Sequence, residues 1–430
     1  MKCLNTALPL ALAATLIVSP VSTQCQGITS VPGTDALTLD VAIRWALAGN
    51  PELRASVARM DAASGRAYQA KQWSNPELEW SAEDWPVSGG QGFSDAKQLI
   101  GIAQTLPFPA KKSLDKQIGN AGLELSETEL TLRRIEVVRD VKTSFYRVLA
   151  CKQLLAVARQ LLAVAESSAA TAQKRVEAGA AAYQEQLRAE VQLEQARTEL
   201  MGYERELITA RQALATLLGW PNMNNADLTG ALADTPDPRL LDYPSEEPLG
   251  THPMLNTAQA NLHRARLESR RARLEPYPDV KVGVAGGRIG ATDESIIQLG
   301  FSLPLPIFDR GKGKQQEAQA NVNVAEAEML AVQKQLQRER ANARQRYRTA
   351  VEQVANYRER ILPKATEALH LVQTGFEQGK FNFIDLVDTQ RMSAEARLVY
   401  QQKLLEMNLA QVELEALLQP HTSLSSTPQQ

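Results

Sequence analysis

The residues best placed to do chemistry lie in one late stretch, Gly375 to Leu418. Asp385 and Asp388 fall in the first turns of a helical pattern there, with Arg391 just beyond. Two carboxylates beside a guanidinium can select cations. The same residues also fit a local structural role. Asn382 as N-cap with Asp385 three residues on resembles a capping box, and acids stabilise a helix N-terminus through its dipole. His252, His263, His370 and His421 show no metal-ligand spacing, and Met329, Met392 and Met407 read as gap-fillers in helix packing. No nucleophile motif, phosphate loop or paired acid and base stands out, so an enzyme, a cofactor and a protein-held metal are not expected.

A weaker copy of the late stretch lies about two hundred residues earlier, at Arg175 to Leu218. With Gly179 set on Gly379, Glu185 falls on Asp385, Glu190 on Gln390 and Arg197 on Arg397. The chain therefore reads as a tandem repeat, 37–219 and 251–419, joined by a connector over 220–250 that is rich in Asp, Pro and Asn. The residues 420–430 read as a polar, disordered tail.

The 430 residues are only 5% aromatic, and Ala, Leu, Gln, Glu and Arg dominate long stretches, the composition of long packed helices. A net charge of −2 leaves no nucleic-acid footprint. Lys2 followed by the apolar run Ala7 to Val18 predicts a secretory signal peptide over 1–26. That run is too short to span a bilayer, and no later stretch offers ~20 consecutive apolar residues, so any membrane crossing must be made by strands. Of the three cysteines, Cys3 and Cys25 belong to the leader region and Cys151 stands alone in a helical pattern, so no disulfide framework follows. Ser22, Thr23 and Gln24 do not supply the residues of a good lipoprotein site before Cys25.

In chain order, Asn50-Pro51 predicts an N-cap and first helical residue, and His252-Pro253 stands in the matching place. Beyond Asn75-Pro76 the period changes from helical to alternating. Leu78, Trp80 and Ala82 alternate with Glu77, Glu79, Ser81 and Glu83, which predicts a strand over about 77–85 and a hairpin with a second strand over about 97–106. The second repeat alternates more cleanly, predicting strands over about 279–286 and 295–303. Val280, Val282, Val284, Ile297, Leu299, Phe301 and Leu303 share one face, with small or polar residues on the other. Such strands put the apolar face on lipid and the other on a watery lumen, at about the 9–11 residues a tilted membrane strand needs. Four strands cannot close a channel and an open edge cannot exist in hydrocarbon, so several chains must each contribute four.

Between the hairpins, Lys111 to Glu177 contains no proline. As one helix it would be about 100 Å long at ~1.5 Å per residue. Gly179, Ala180 and Ala181 turn it back into Gln184 to Leu218, and Gly379, Lys380 and Phe381 make the same turn in the second repeat. The second long helix, Gly311 to Gln378, is interrupted by Pro363.

These residues resemble the outer-membrane efflux protein (TolC-like) family. The motifs that carry the resemblance are Asn50-Pro51-Glu52-Leu53, Asn75-Pro76-Glu77-Leu78, the strand exit Leu303-Pro304-Leu305-Pro306-Ile307-Phe308, and Gly379 through Asp385, Asp388, Gln390 and Arg391, in order across both repeats. Asn75-Pro76-Glu77-Leu78-Glu79 and Ile361-Leu362-Pro363-Lys364-Ala365 look most like its heavy-metal branch. Pro107 to Lys112 departs from that branch's usual glycine-rich basic sequence.

The resemblance implies a mainly helical fold whose long antiparallel hairpins form an α-barrel, with four strands per chain joining a trimeric twelve-stranded transmembrane β-barrel. It implies a passive exit duct in the outer membrane of a Gram-negative bacterium, working with a periplasmic adaptor and an inner-membrane transporter. It places Asp385, Asp388 and Arg391 at the periplasmic gate and the two glycine turns against the adaptor. Multidrug efflux or protein secretion would use the same architecture. A soluble periplasmic coiled-coil scaffold would use the helices without the strands.

Overall fold

The structure, a computed structural model, describes residues 37–84, 88, 92–220, 228–241 and 252–418. The predicted signal peptide, the tail and parts of the connector lie outside the described residues. One order of elements runs twice. The first pass is α1 (Leu39–Gly49), α2 (Pro51–Lys71), β1 (Glu77–Glu83), a short 3₁₀ turn (Gly92–Asp95), β2 (Lys97–Leu106), α3 (Pro109–Glu177) and α4 (Tyr183–Leu218). The second is α5 (Pro238–Leu241), α6 (Pro253–Ala272), β3 (Val280–Ile289), β4 (Glu294–Ser302), α7 (Lys312–Asn356), α8 (Leu362–Glu377) and α9 (Phe383–Leu418).

Each pass carries the same joint, at the start of α2 and of α6. Asn50 accepts the N–H groups of Glu52 and Leu53 at 2.9 and 3.1 Å, and its amide donates to the Leu217 carbonyl at the end of α4, at 2.9 Å. His252 accepts the Met254 N–H on Nδ1 at 3.2 Å and also hydrogen-bonds the Ala416 backbone near the end of α9. Pro51 and Pro253 follow at the first helical position, where a missing N–H costs nothing.

α3 is 69 residues long. One 18-residue window in it is apolar enough on average to cross a membrane, although it carries charges within it. Its apolar side is core: Val137, Val141, Phe145, Val148 and Leu149 pack against Ala42 and Ala46 of α1 and Leu214 and Leu218 of α4. Trp45 stacks on Trp220 at 5.4 Å alongside. A matching core in the second pass joins Ala343, Tyr347 and Val354 of α7 to Leu404, Met407 and Leu414 of α9. The described part of the connector is strapped down. Asn408, buried inside α9, accepts the Ala233 N–H at 3.0 Å and donates to the Ala233 carbonyl at 2.9 Å.

The second long helix is broken just where Pro363 predicts. Tyr357–Ile361 form a π-turn, in which the Leu362 N–H reaches back to the Tyr357 carbonyl. The wider turn makes room ahead of a proline that cannot donate and whose ring crowds the preceding turn.

The four strands form one antiparallel sheet in the order β1-β2-β3-β4. The β2–β3 pair joins the two passes, with Leu106 opposite Val280 and Lys97 opposite Ile289. β3 is longer than its sequence suggests, running through Gly286 and Gly287 to Ile289 before turning. The predicted strand ends at about 286, so Gly287 falls beyond it, yet both glycines lie within β3. A Cβ on Gly287 would run into the Gln98 carbonyl of β2, so close backbone approach excludes a side chain there.

Candidate functional site

The two hairpin turns have the same backbone. The Gly179 N–H bonds the Val176 carbonyl at 2.9 Å and the Ala180 N–H bonds Arg175 at 2.8 Å. At the other tip the Gly379 N–H bonds Phe376 at 2.9 Å and the Lys380 N–H bonds Gly375 at 2.8 Å. This is the paired helix-ending pattern that needs a left-handed residue, and the two glycines have φ of +69° and +73°. The tips lie side by side: Ala172 of α3, Ala189 of α4 and Phe383 of α9 form one cluster, with Phe376 and Val387 against it. Arg175 lays its guanidinium over the Phe376 ring, 5.4 Å from its centre. Phe381 covers Gly375 with part of its ring and exposes the rest, while Ala180 and Lys380 are exposed.

Asp385 and Asp388 separate in role. Asp385 Oδ2 accepts the Asn382 N–H at 3.1 Å, one arm of the capping box that the sequence predicts. Asp388 stays exposed, with Arg391 3.7 Å away one helical turn on. It lies in a cleft between the first turns of α4 and α9, lined by Glu185, Leu187, Arg188, Phe383 and Ile384 among others. This cleft adjoins a larger groove of about 1460 Å³ along α3, between α4 and α9. Ser168 Oγ bonds Gln390 Oε1 at 3.2 Å across the groove floor and ties α3 to α9. The sequence sets Glu185 on Asp385 but gives no sign of what Glu185 or Arg175 meets at this end, because Phe376 and Phe383 come from the other repeat.

At the opposite end, the sheet has two unlike faces. Register puts Leu78, Ile102, Val284 and Leu299 in one row across all four strands, and Trp80, Ile100, Gly286 and Ile297 in the next. This face is bare: Ile297 and Leu299 are each 81% exposed, and Phe301 is nearly as open. Val280 and Val282 stand on it too, and Leu303, predicted as the last strand residue, follows just beyond the end of β4. The other face carries Glu77, Glu79, Lys281, Gln298 and Ser302 above small residues such as Gly101, Ala103 and Gly283. Lys281 reaches over that small-residue floor to bind Glu77 and Glu79 at 2.7 and 2.6 Å. Alternation marks these residues as sharing a face, but only the β2–β3 pairing brings Lys281 to β1.

Beneath the strands a girdle of charges fastens sheet to helices. Lys111, 6% exposed, meets Asp279 at 3.2 Å, and Asp279 also accepts the Phe108 N–H at 2.9 Å. Burial pushes the Asp279 carboxyl up, but Phe108, Lys111 and Arg271 outweigh it and hold it below its ordinary value. Arg271 bridges Asp115 at 2.8 Å and Glu275 at 3.2 Å. Lys314, at 2.7 Å, and Arg271 together hold the Glu275 carboxyl low against the opposing pull of burial. Among the described residues no cluster of three potential metal ligands occurs.

A sheet with an uncovered apolar face, set on helical hairpins about 100 Å long, defines a class of envelope channel in which a β-barrel continues as an α-barrel. The chain belongs to the outer membrane efflux protein family, whose profile matches residues 42–220 and 245–418. It is 29% identical to the cobalt-zinc-cadmium resistance protein CzcC of Cupriavidus metallidurans, over 85% of each chain. It is 25% identical to the nickel-cobalt-cadmium resistance protein NccC of Alcaligenes xylosoxydans, over 65% of this chain and 63% of that one. Among solved structures, the outer membrane protein VceC of Vibrio cholerae superposes with a TM-score of 0.75 at 18% identity, covering 88% of this chain and 95% of that one. The protein is thus an outer-membrane efflux channel with a periplasmic extension.

Proposed function

We propose that the chain is the exit duct of a tripartite pump that exports heavy-metal cations. The observation that carries the substrate class is the likeness to CzcC along 85% of both chains. In this reading the duct is a passive conduit and no enzyme: an inner-membrane transporter drives the cargo and a periplasmic adaptor joins the two. Its two repeats, 37–219 and 251–419, follow a signal peptide over 1–26 that directs export.

Three copies make the channel. The free edges of β1 and β4 support closure by further copies, because unpaired backbone groups in hydrocarbon cost several kcal/mol each, and the number three follows the family resemblance. Val280, Val282, Val284, Ile297, Leu299, Phe301 and Leu303 face lipid in the assembled barrel. Gly179, Ala180 and Ala181 with Gly379, Lys380 and Phe381 offer the periplasmic tips to the adaptor. Asp385, Asp388 and Arg391, repeated around the threefold axis, form a gate that favours cations.

A strain lacking this protein, challenged with zinc, cobalt, cadmium, copper, silver and common antibiotics, tests the reading. Sensitivity to divalent metals, restored by the intact gene, is expected. Sensitivity to antibiotics alone would overturn the metal assignment and leave a multidrug duct.

A further inference from the structure

The sheet ends on two strands with one partner each, β1 on β2 and β4 on β3. Resting on the three-copy reading above, we propose that β4 of one copy closes on β1 of the next in a single register, with Leu303 opposite Leu78 of the partner subunit. Ser302 then faces the partner's Glu79, and Phe301 faces the partner's Trp80.

The chain already makes this joint once within itself. β2 leaves the sheet through Leu106-Pro107-Phe108-Pro109, and β3 enters through Pro278-Asp279-Val280, with Leu106 opposite Val280. β4 leaves through Leu303-Pro304-Leu305-Pro306, and β1 enters through Pro76-Glu77-Leu78. Carrying the internal pairing across the two repeats sets Leu303 against Leu78. The covering of the internal joint differs from that of the open one. Phe108 stacks on Tyr277 at 5.1 Å, whereas the exit of β4 is bare, with Phe308 100% exposed and Leu305 and Ile307 largely so. Trp73, just ahead of β1, is exposed as well. Apolar surface left open at one edge thus matches apolar surface left open at the other.

Closure selects the same register on independent grounds. The row Leu78, Ile102, Val284, Leu299 would continue at Ala82 of the partner subunit, four residues further along β1. Over three copies the shear is about 12 on 12 strands, and equal shear and strand number tilts strands by ~36°, inside the usual 35–45°. Pairing Ser302 with the partner's Glu77 halves the shear and gives a tilt of about 20°. Pairing it with the partner's Ser81 raises the tilt to about 48°. Slips by one residue turn the apolar face into the lumen.

Cysteine pairs read the register directly. S302C/E79C, S302C/E77C and S302C/S81C, with S302C alone as control, are oxidised in isolated outer membranes and run on non-reducing gels. The expected result is covalent trimer from S302C/E79C at least fivefold above the other two pairs. G300C/S81C lies in the same register at a position with open space around the added Cβ, and should cross-link likewise even if loss of Glu79 from the Lys281 pair impairs folding. Stronger cross-linking of S302C/E77C or S302C/S81C overturns the register, as does absence of cross-linking in both in-register pairs while native mass spectrometry shows trimers. A monomeric protein in that spectrum brings down the three-copy reading itself, and the register with it.

Discussion

At the scale of single residues, the two aspartates of the last helix prove unequal. Asp385 is occupied with the Asn382 N–H, so its charge sits in a cap, while Asp388 is exposed in the cleft between α4 and α9, with Arg391 3.7 Å away and Glu185 and Arg188 also lining the cleft. Asp385→Asn should therefore lower the melting temperature slightly, by about 1–3 °C, as loss of a cap interaction does. Asp388→Asn should leave melting unchanged and reduce the preference for cations, read as the reversal potential of single channels under a salt gradient. If D388N keeps the wild-type reversal potential, the gate reading of Asp388 fails.

At the scale of elements, the joint that opens α2 and α6 carries stability. Asn50 is buried with both ends of its amide engaged, so Asn50→Ala should cost about 2 kcal/mol in chemical unfolding. His252 holds the matching place. Burial, with Arg340 nearby, pushes its pKa below the ordinary 6.5 despite the Ala416 backbone bond and Glu339, which pull the other way. The folded chain thus keeps a neutral imidazole where the unfolded chain would take up a proton. Stability that depends on His252 is complete above pH 6.5 and is lost as pH falls below it. Denaturant midpoints should drop between pH 7.5 and 5.5, and drop less in His252→Asn, which keeps a capping acceptor. An equal drop in both proteins would remove His252 from the account.

At the scale of the whole molecule, the two faces of the sheet should respond oppositely to charge. A lysine on the lipid side near the membrane centre costs about 2–4 kcal/mol per copy, and three copies multiply the loss. Leu299→Lys should therefore abolish heat-resistant assemblies in outer membranes. Gln298→Lys, its neighbour on the other face, should assemble and alter conductance. Assembly of L299K with normal yield would contradict the lipid-facing assignment.

What the sequence by itself determined is everything that depends on local periodicity. Val280, Val282 and Val284 alternate whatever they pair with, proline-free runs propagate as helices, and Gly179 and Gly379 end them because few other residues enter the left-handed region. The doubled order of elements followed from the same local signals, and so did the capping of α2 by Asn50. Only the tertiary structure decided which distant segments share a site. Lys281 reaches Glu77 and Glu79 because β2 and β3 pair across the two repeats, Asn408 clasps Ala233, and Arg175 covers Phe376 of the other hairpin. The extent of β3 belongs here too, since alternation stops at about 286 and only the close backbone of β2 shows Gly287 in the strand. Such contacts depend on register and on the packing of elements far apart in the chain, for which neither helical nor strand periodicity carries a signal.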